Sequence, residues 1–173
     1  MKLTLRKKLI GSFLIVSLIF GIASVISYIN LKNTNESYTY LVNTVSEVRS
    51  ITQEIETSVA RQTSDLRGYL LYADMAFVND LRDNNERIHS LIGEAKKLAT
   101  LQETIDRLDE INELNQLFLA ETERAIHVIP VNKNQGIKMA NDRVVPISRE
   151  MREKTSSLKS WLNEILQERQ KET

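Results

Sequence analysis

The chain holds 173 residues, with 23 Lys and Arg against 23 Asp and Glu, so its formal charge is zero and no basic excess points to nucleic acid. Hydrophobic residues make up 42% and charged residues 27%, which excludes a disordered chain, while five Gly and two Pro leave little turn chemistry for a many-stranded β fold. Cysteine is absent, and with it disulfides, thiol catalysis, Cys-ligated zinc and iron–sulfur clusters.

The zero charge is an average over unlike parts. Lys2, Arg6, Lys7, Lys8 and Lys32 are the charged residues of the first 32, leaving 18 basic against 23 acidic groups in the remainder. Residues 1–8 form a basic foot. Leu9 to Leu31 are 23 consecutive uncharged residues, mostly Leu, Ile, Val and Phe. A helix of that length reaches about 35 Å, enough for a hydrocarbon core of about 30 Å, so the spacing predicts a transmembrane helix over 9–31. A cleaved signal peptide would have a shorter apolar region and a small-residue cleavage site, which Val25 to Leu31 lack. Four cations precede the run and Lys32 alone follows it closely, so the positive-inside rule puts the N-terminus in the cytoplasm and residues 32–173 outside. Tyr28 suits an interfacial anchor near the outer end.

After the span, Leu31, Thr34, Tyr38, Leu41, Val45, Val48, Thr52, Ile55, Val59, Gln62, Leu66, Tyr69 and Ala73 follow steps of three and four, and no Gly or Pro interrupts them before Gly68. The membrane helix is therefore expected to continue outward and present one apolar seam to partner helices. Gln62 and the threonines are polar members of that seam, suited to fixing register or lining a small cavity. A turn is expected at Tyr72 to Asp74, with Asp74 capping a second helix whose seam is Phe77, Leu81, Asn84, Ile88, Leu91, Ala95 and Leu98. A break is placed at Ala99 to Gln102, where Thr100 and Glu103 resemble a capping box. Helix three then shows Ile105, Leu108, Ile111, Asn115, Phe118, Thr122, Ala125 and Ile129, and stops before Pro130. Pro130 to Gly136 reads as a loop. Helix four runs from about Ile137 to Gln170 through Ala140, Val144, Ile147, Met151, Thr155, Leu158, Leu162 and Ile165, with a kink expected at Pro146. The fold class that follows is all-α: an N-terminal transmembrane helix continuing into an up-down-up-down antiparallel four-helix bundle.

Catalysis finds little support in these residues. A di-iron site needs two Glu-x-x-His pairs, and only Glu86 with His89 fits. A hairpin centred near residue 100 places His89 opposite about Asn112, and His127 about 22 Å further along, too far to share a metal or haem. No Gly-x-Ser-x-Gly elbow or glycine-rich phosphate loop occurs, so no enzyme activity and no cofactor are expected. Binding is better supported. Arg49, Arg61 and Arg67 lie along helix one; a guanidinium fork can hold an anionic small molecule, or it can pair with a carboxylate on a neighbouring helix. Thr155 could add a hydroxyl to such a pocket, or bond its own helix backbone as a plain core residue. The candidate ligand-binding residues are Arg61, Arg67 and Thr155.

Two stretches carry a family likeness. The opening Met-Lys-Leu-Thr-Leu-Arg-Lys-Lys-Leu-Ile-Gly-Ser-Phe of residues 1–13 and the Asp-Leu-Arg-Gly-Tyr-Leu-Leu of residues 65–71 resemble the extracytoplasmic sensor half of bacterial methyl-accepting chemotaxis proteins of the four-helix-bundle type. The second stretch is shared with helical sensor domains of histidine kinases and diguanylate cyclases. Its commonest form continues Thr-Gly-Asp, where this chain has Tyr72, Ala73 and Asp74. The resemblance implies a homodimer at the bacterial cell membrane, in which a small molecule or a ligand-loaded binding protein shifts helix four against helix one. It also implies a second span, a HAMP relay and a cytoplasmic signalling domain beyond these residues. The polar ending, Gln167 to Thr173, with helix-four heptads intact, points to a chain that stops before that second span. The expected function is the sensor module of a transmembrane chemoreceptor; the same module in a kinase or cyclase, and a membrane-anchored bundle without ligand, are the alternatives.

Overall fold

Steps of three and four in the apolar pattern, with Gly and Pro confined to a few places, dictate helices, and helices are what form. The computed structural model describes residues 5–171, without the side chains of 5–12, 14, 15, 33–37, 169 and 170. Its elements are α1 (Leu5–Tyr72), α2 (Met75–Leu98), α3 (Gln102–Val128), α4 (Lys133–Met139), a π-helical turn (Ala140–Val144) and α5 (Val145–Lys171). Among the described residues there is no strand. The chain divides into two units, residues 1–41 and residues 42–173, and α1 contributes to both.

In the first unit every described side chain from Val16 to Lys32 is exposed, large apolar ones such as Phe20, Ile22 and Ile26 included. The span expected over 9–31 lies partly outside the described residues, because the side chains of 9–12, 14 and 15 are not among them. Of the basic foot, residues 1–4 lie outside the described residues, as do the side chains of 5–8. Among the described residues no helix is long and apolar enough to cross a membrane.

The second unit is a bundle whose neighbours run antiparallel. Bonds Asp65–Asn84 and Glu54–Arg87 pair α1 with α2. Arg82–Glu123 and Lys96–Asp109 pair α2 with α3, Arg143–Glu121 and Lys154–Glu110 pair α3 with the chain through α5, and Thr63–Ser148 and Arg49–Asn163 return α5 to α1. In each pair the number rises on one helix as it falls on the other, which is the expected up-down-up-down order. Fully enclosed Ile55, Leu66, Leu81, Ile88, Leu108, Ile111, Phe118, Met151, Leu158 and Leu162 fill the centre. Each such side chain contributes roughly 1.5–3 kcal/mol by leaving water. Arg107 lies 5.2 Å from the Trp161 ring and also holds Glu103, which fastens α3 to α5 at the surface.

Several local details differ from the pattern read in the sequence. Asp74 caps α2 as expected, its carboxylate accepting from the Ala76 N–H at 2.9 Å. The expected capping box does not form: α3 begins at Gln102 behind Leu101, which gives no side-chain cap, and Glu103 turns to Arg107 instead. The expected loop Pro130 to Gly136 is shorter, because Asn132 accepts from the Gln135 N–H and starts α4 at Lys133. Pro146 produces a π-helical turn rather than a bare kink. A prolyl ring collides with the carbonyl four residues back, and the wider turn over Ala140–Val144, in which the Val145 N–H reaches the Ala140 carbonyl, moves that carbonyl away.

Candidate functional site

The structure separates the three candidate ligand residues by environment. Arg61 and Arg67 are exposed on α1, and among the described residues neither makes an ion pair or a side-chain hydrogen bond. Thr155 is fully buried and its hydroxyl donates to the Met151 carbonyl at 2.7 Å, one turn back on its own helix. That hydroxyl is engaged, and no bond links Thr155 to either arginine. Arg49 turns to a neighbouring helix, though to an amide rather than the expected carboxylate: its guanidinium donates to Asn163 Oδ1 at 3.0 Å.

Polar groups gather elsewhere, at one level of the bundle core. On α1, Thr63 shares a 2.6 Å hydrogen bond with Ser148 of α5, and both are buried. Two residues on, Asp65 accepts from Asn84 of α2 at 2.9 Å. Beside Asn84, Asn85 and Asn115 of α3 exchange amide bonds: Asn85 Nδ2 donates to Asn115 Oδ1 at 2.8 Å and Asn115 Nδ2 donates to the Asn85 carbonyl at 3.0 Å. Gln62, next to Thr63, is fully buried at the same level. These bonds tie four helices together with hydroxyls and amides where a bundle ordinarily places Leu or Ile.

Three of those groups belonged to the expected seam, Gln62, Asn84 and Asn115. Thr63, Asn85 and Ser148 did not. Their signal in the sequence is position: each directly follows a seam residue, where a helix between two neighbours also turns inward. On α2, Leu81, Ile88, Leu91 and Ala95 are buried where the seam put them, while at two positions the next residue is buried instead, Val78 beside Phe77 and Asn85 beside Asn84.

Electrostatics mark the rim of this level. Asp65 has its carboxyl pushed above the ordinary range, first by partial burial and further by Asp80, against the opposing Asn84 bond and Arg61. Glu123 is held below the ordinary range by the forked Arg82 hydrogen bonds at 2.7 and 3.0 Å, which outweigh its burial. Near the π-helical turn, Glu121 takes Arg124 and, at 3.4 Å, Arg143.

The histidines stand apart, in the expected register. His89 Nδ1 lies 2.8 Å from Asn112 Oδ1, and His127 Nδ1 lies 2.8 Å from the Glu123 carbonyl on its own helix. Among the described residues no group of three His, Asp or Glu side chains could hold a metal.

The stretch from Asp65 to Leu71 is explained by packing at the α1–α2 end. A Cβ on Gly68 would stand 2.6 Å from ring carbons of Phe77, so only glycine lets that ring approach. Tyr69 is buried with Val78, Ile126 and Ile129, and Leu70 packs against the same cluster. Ala73 then takes a positive φ of 54°, its N–H bonding the Tyr69 carbonyl at 2.8 Å. The glycine turn of the commonest form of this motif is therefore made here by an alanine.

Searches among curated proteins and among solved structures return no match. The family model of the CHASE3 domain matches residues 38–172, which begin inside α1 and include the polar level, the Gly68 contact and the π-helical turn. The match covers more than half of the chain, so the chain belongs to the CHASE3 family, whose domain is an extracellular sensory part of signalling proteins found in chemoreceptors, histidine kinases and cyclases.

Proposed function

We propose that this chain is the sensor module of a transmembrane chemoreceptor, with a basic cytoplasmic foot over 1–8, a span over 9–31 and an outward-facing bundle over 32–173. The observation that carries the reading is the join of a sensory family match over 38–172 to 23 uncharged residues preceded by four cations. The exposed apolar side chains of Val16 to Leu31 support it, since lipid is the solvent such a surface suits. The module works as a homodimer at the cell membrane and binds rather than catalyses. Its ligand is a small molecule or a ligand-loaded binding protein, and displacement between helices passes the signal inward. Arg61 and Arg67 keep their guanidinium forks open to an anionic ligand, whereas Thr155 serves the core. The same module in a histidine kinase or cyclase is the second reading, favoured by the Asp65 to Leu71 stretch that those sensors share.

Thermal melting of the full chain in detergent, screened against amino acids, organic acids and amines, tests the sensor role. A ligand present at 100 times its Kd adds about 2.7 kcal/mol and raises the Tm. Sedimentation across a concentration series tests the dimer. No shift with any compound, together with a monomer at every concentration, would sink the reading. Fusing the chain to the signalling domain of a chemoreceptor or of a kinase separates the two outputs by which of them the ligand controls.

A further inference from the structure

Buried polar side chains find partners in the great majority of cases, and this bundle follows the rule at every core position but two. Among the described residues, Gln62 Oε1 and Nε2 and Thr122 Oγ1 are the enclosed side-chain polar atoms without a partner, and both residues are fully buried. Thr52, Thr57, Thr63 and Thr155 each donate to the carbonyl four residues back. Thr122 leaves that bond unmade.

The cross-helix bonds place the two orphans at different levels along the axis. Asp65 of α1 meets Asn84 of α2, and Arg82 of α2 meets Glu123 of α3. By those bonds Thr122 stands about 6 Å from the level of Gln62, and by Asn115, which shares that level, about 10 Å, so only Gln62 lies among the paired polar groups. The surrounding polar groups, Thr63 with Ser148 and Asn85 with Asn115, are already paired with each other and carry no charge. An ion would lose its hydration here among neutral groups, the Asp65 carboxylate at the rim being already bonded to Asn84, whereas a small neutral molecule that both donates and accepts would satisfy what is left over.

We propose that Gln62 marks an internal hydration site in the bundle core, where ordered water bonds its carboxamide. Water suits the need because it offers donors and acceptors in the smallest volume, and buried waters ordinarily serve two to four such groups. The polar level is then a wet section of the core, independent of what the sensor binds.

A crystal structure of the full chain at about 1.8 Å or better reads the site directly: the expected result is a water within about 2.7–3.2 Å of Gln62 Oε1 or Nε2. In solution, the ¹⁵N-labelled full chain in micelles should show a dipolar cross-peak between the Gln62 Nε2 protons and water, with the side-chain signal itself lost in Gln62→Leu. A Gln62 carboxamide bonded only to protein atoms, an organic molecule in place of water, or Nε2 protons without the water cross-peak would each overturn the proposal.

Discussion

Ala73 pays for the α1–α2 turn in backbone strain: at φ 54° its Cβ crowds the neighbouring carbonyl, a cost of roughly 1 kcal/mol that glycine does not bear. Ala73→Gly should therefore raise stability by about 0.5–1 kcal/mol, or the Tm by about 2–4 °C, even though it removes a methyl group. A lower Tm would mean that the Ala73 methyl makes a contact worth more than the strain. Two carboxylates answer pH in opposite senses. Glu123, held low by Arg82, contributes stability that is present above its ordinary value of 4.5 and is lost as pH falls through the depressed one. Glu123→Gln should thus cost about 0.5–1 kcal/mol at pH 7, the range for a solvent-screened pair, and close to nothing near pH 3. Asp65, pushed up by burial, contributes stability that is full below 3.8 and is lost as pH rises through its elevated value. Asp65→Asn, which can still accept from Asn84, should melt higher than the parent at pH 7, and the gap should narrow toward pH 3. Melts of the three proteins at both pH values check these signs.

At the scale of elements, the shared motif near the end of α1 is a packing device. Alanine in place of a helical glycine ordinarily gains up to about 1 kcal/mol of helix propensity. At Gly68 the new Cβ would meet the Phe77 ring at 2.6 Å, and overpacking of that kind costs roughly 1–3 kcal/mol. Gly68→Ala should therefore destabilise the bundle, whereas the same change on top of Phe77→Ala should be neutral or stabilising. The reversal of sign is the measurement, and additive effects would show that the ring has room to move away. The helices themselves were legible from the steps of three and four, as Ile55, Val59, Gln62, Leu66, Leu108, Ile111, Met151 and Leu158 show, all buried where the seam put them. The choice between neighbouring residues at two positions of α2 was not. A helix in a four-helix bundle faces two neighbours and buries a wider stripe than a single seam, so Phe77 or Val78, and Asn84 or Asn85, fit the pattern equally well. The π-helical turn left a trace that a heptad reading passes over: buried Gly136, Ala140, Val144 and Ser148 follow one another in steps of four, a longer period than an alternation of three and four allows. Half-buried Ile147 was taken for the seam residue in place of Ser148, and the Thr63–Ser148 bond was hidden with it.

For the whole molecule, the candidate site was only partly legible because unpaired polarity is a property of three-dimensional neighbours. Gln62 stood out as polar in an apolar seam, yet whether it was bonded depended on residues such as Asn85 and Ser148, 23 and 86 positions away, that no local pattern connects. The proposed membrane arrangement is of the opposite kind, since it rests on length and charge that the sequence displays openly. It makes a claim about compartments, and the absence of cysteine allows a clean test. Single replacements Thr4→Cys in the basic foot and Ser160→Cys on the exposed side of α5 introduce one thiol each. In intact cells a charged maleimide that does not cross membranes should label Ser160→Cys and spare Thr4→Cys; after permeabilisation it should label both. Replacing Ile19 and Ile22 by Arg together should abolish this protection, because each buried cation costs roughly 2.5–3.5 kcal/mol at the centre of a span, and the protein should leave the membrane fraction. If Thr4→Cys were labelled and Ser160→Cys protected, the orientation would be reversed and an outward sensor excluded. Equal labelling of both in intact cells would remove the span itself, and with it the route by which helix displacement in the bundle could reach a cytoplasmic partner.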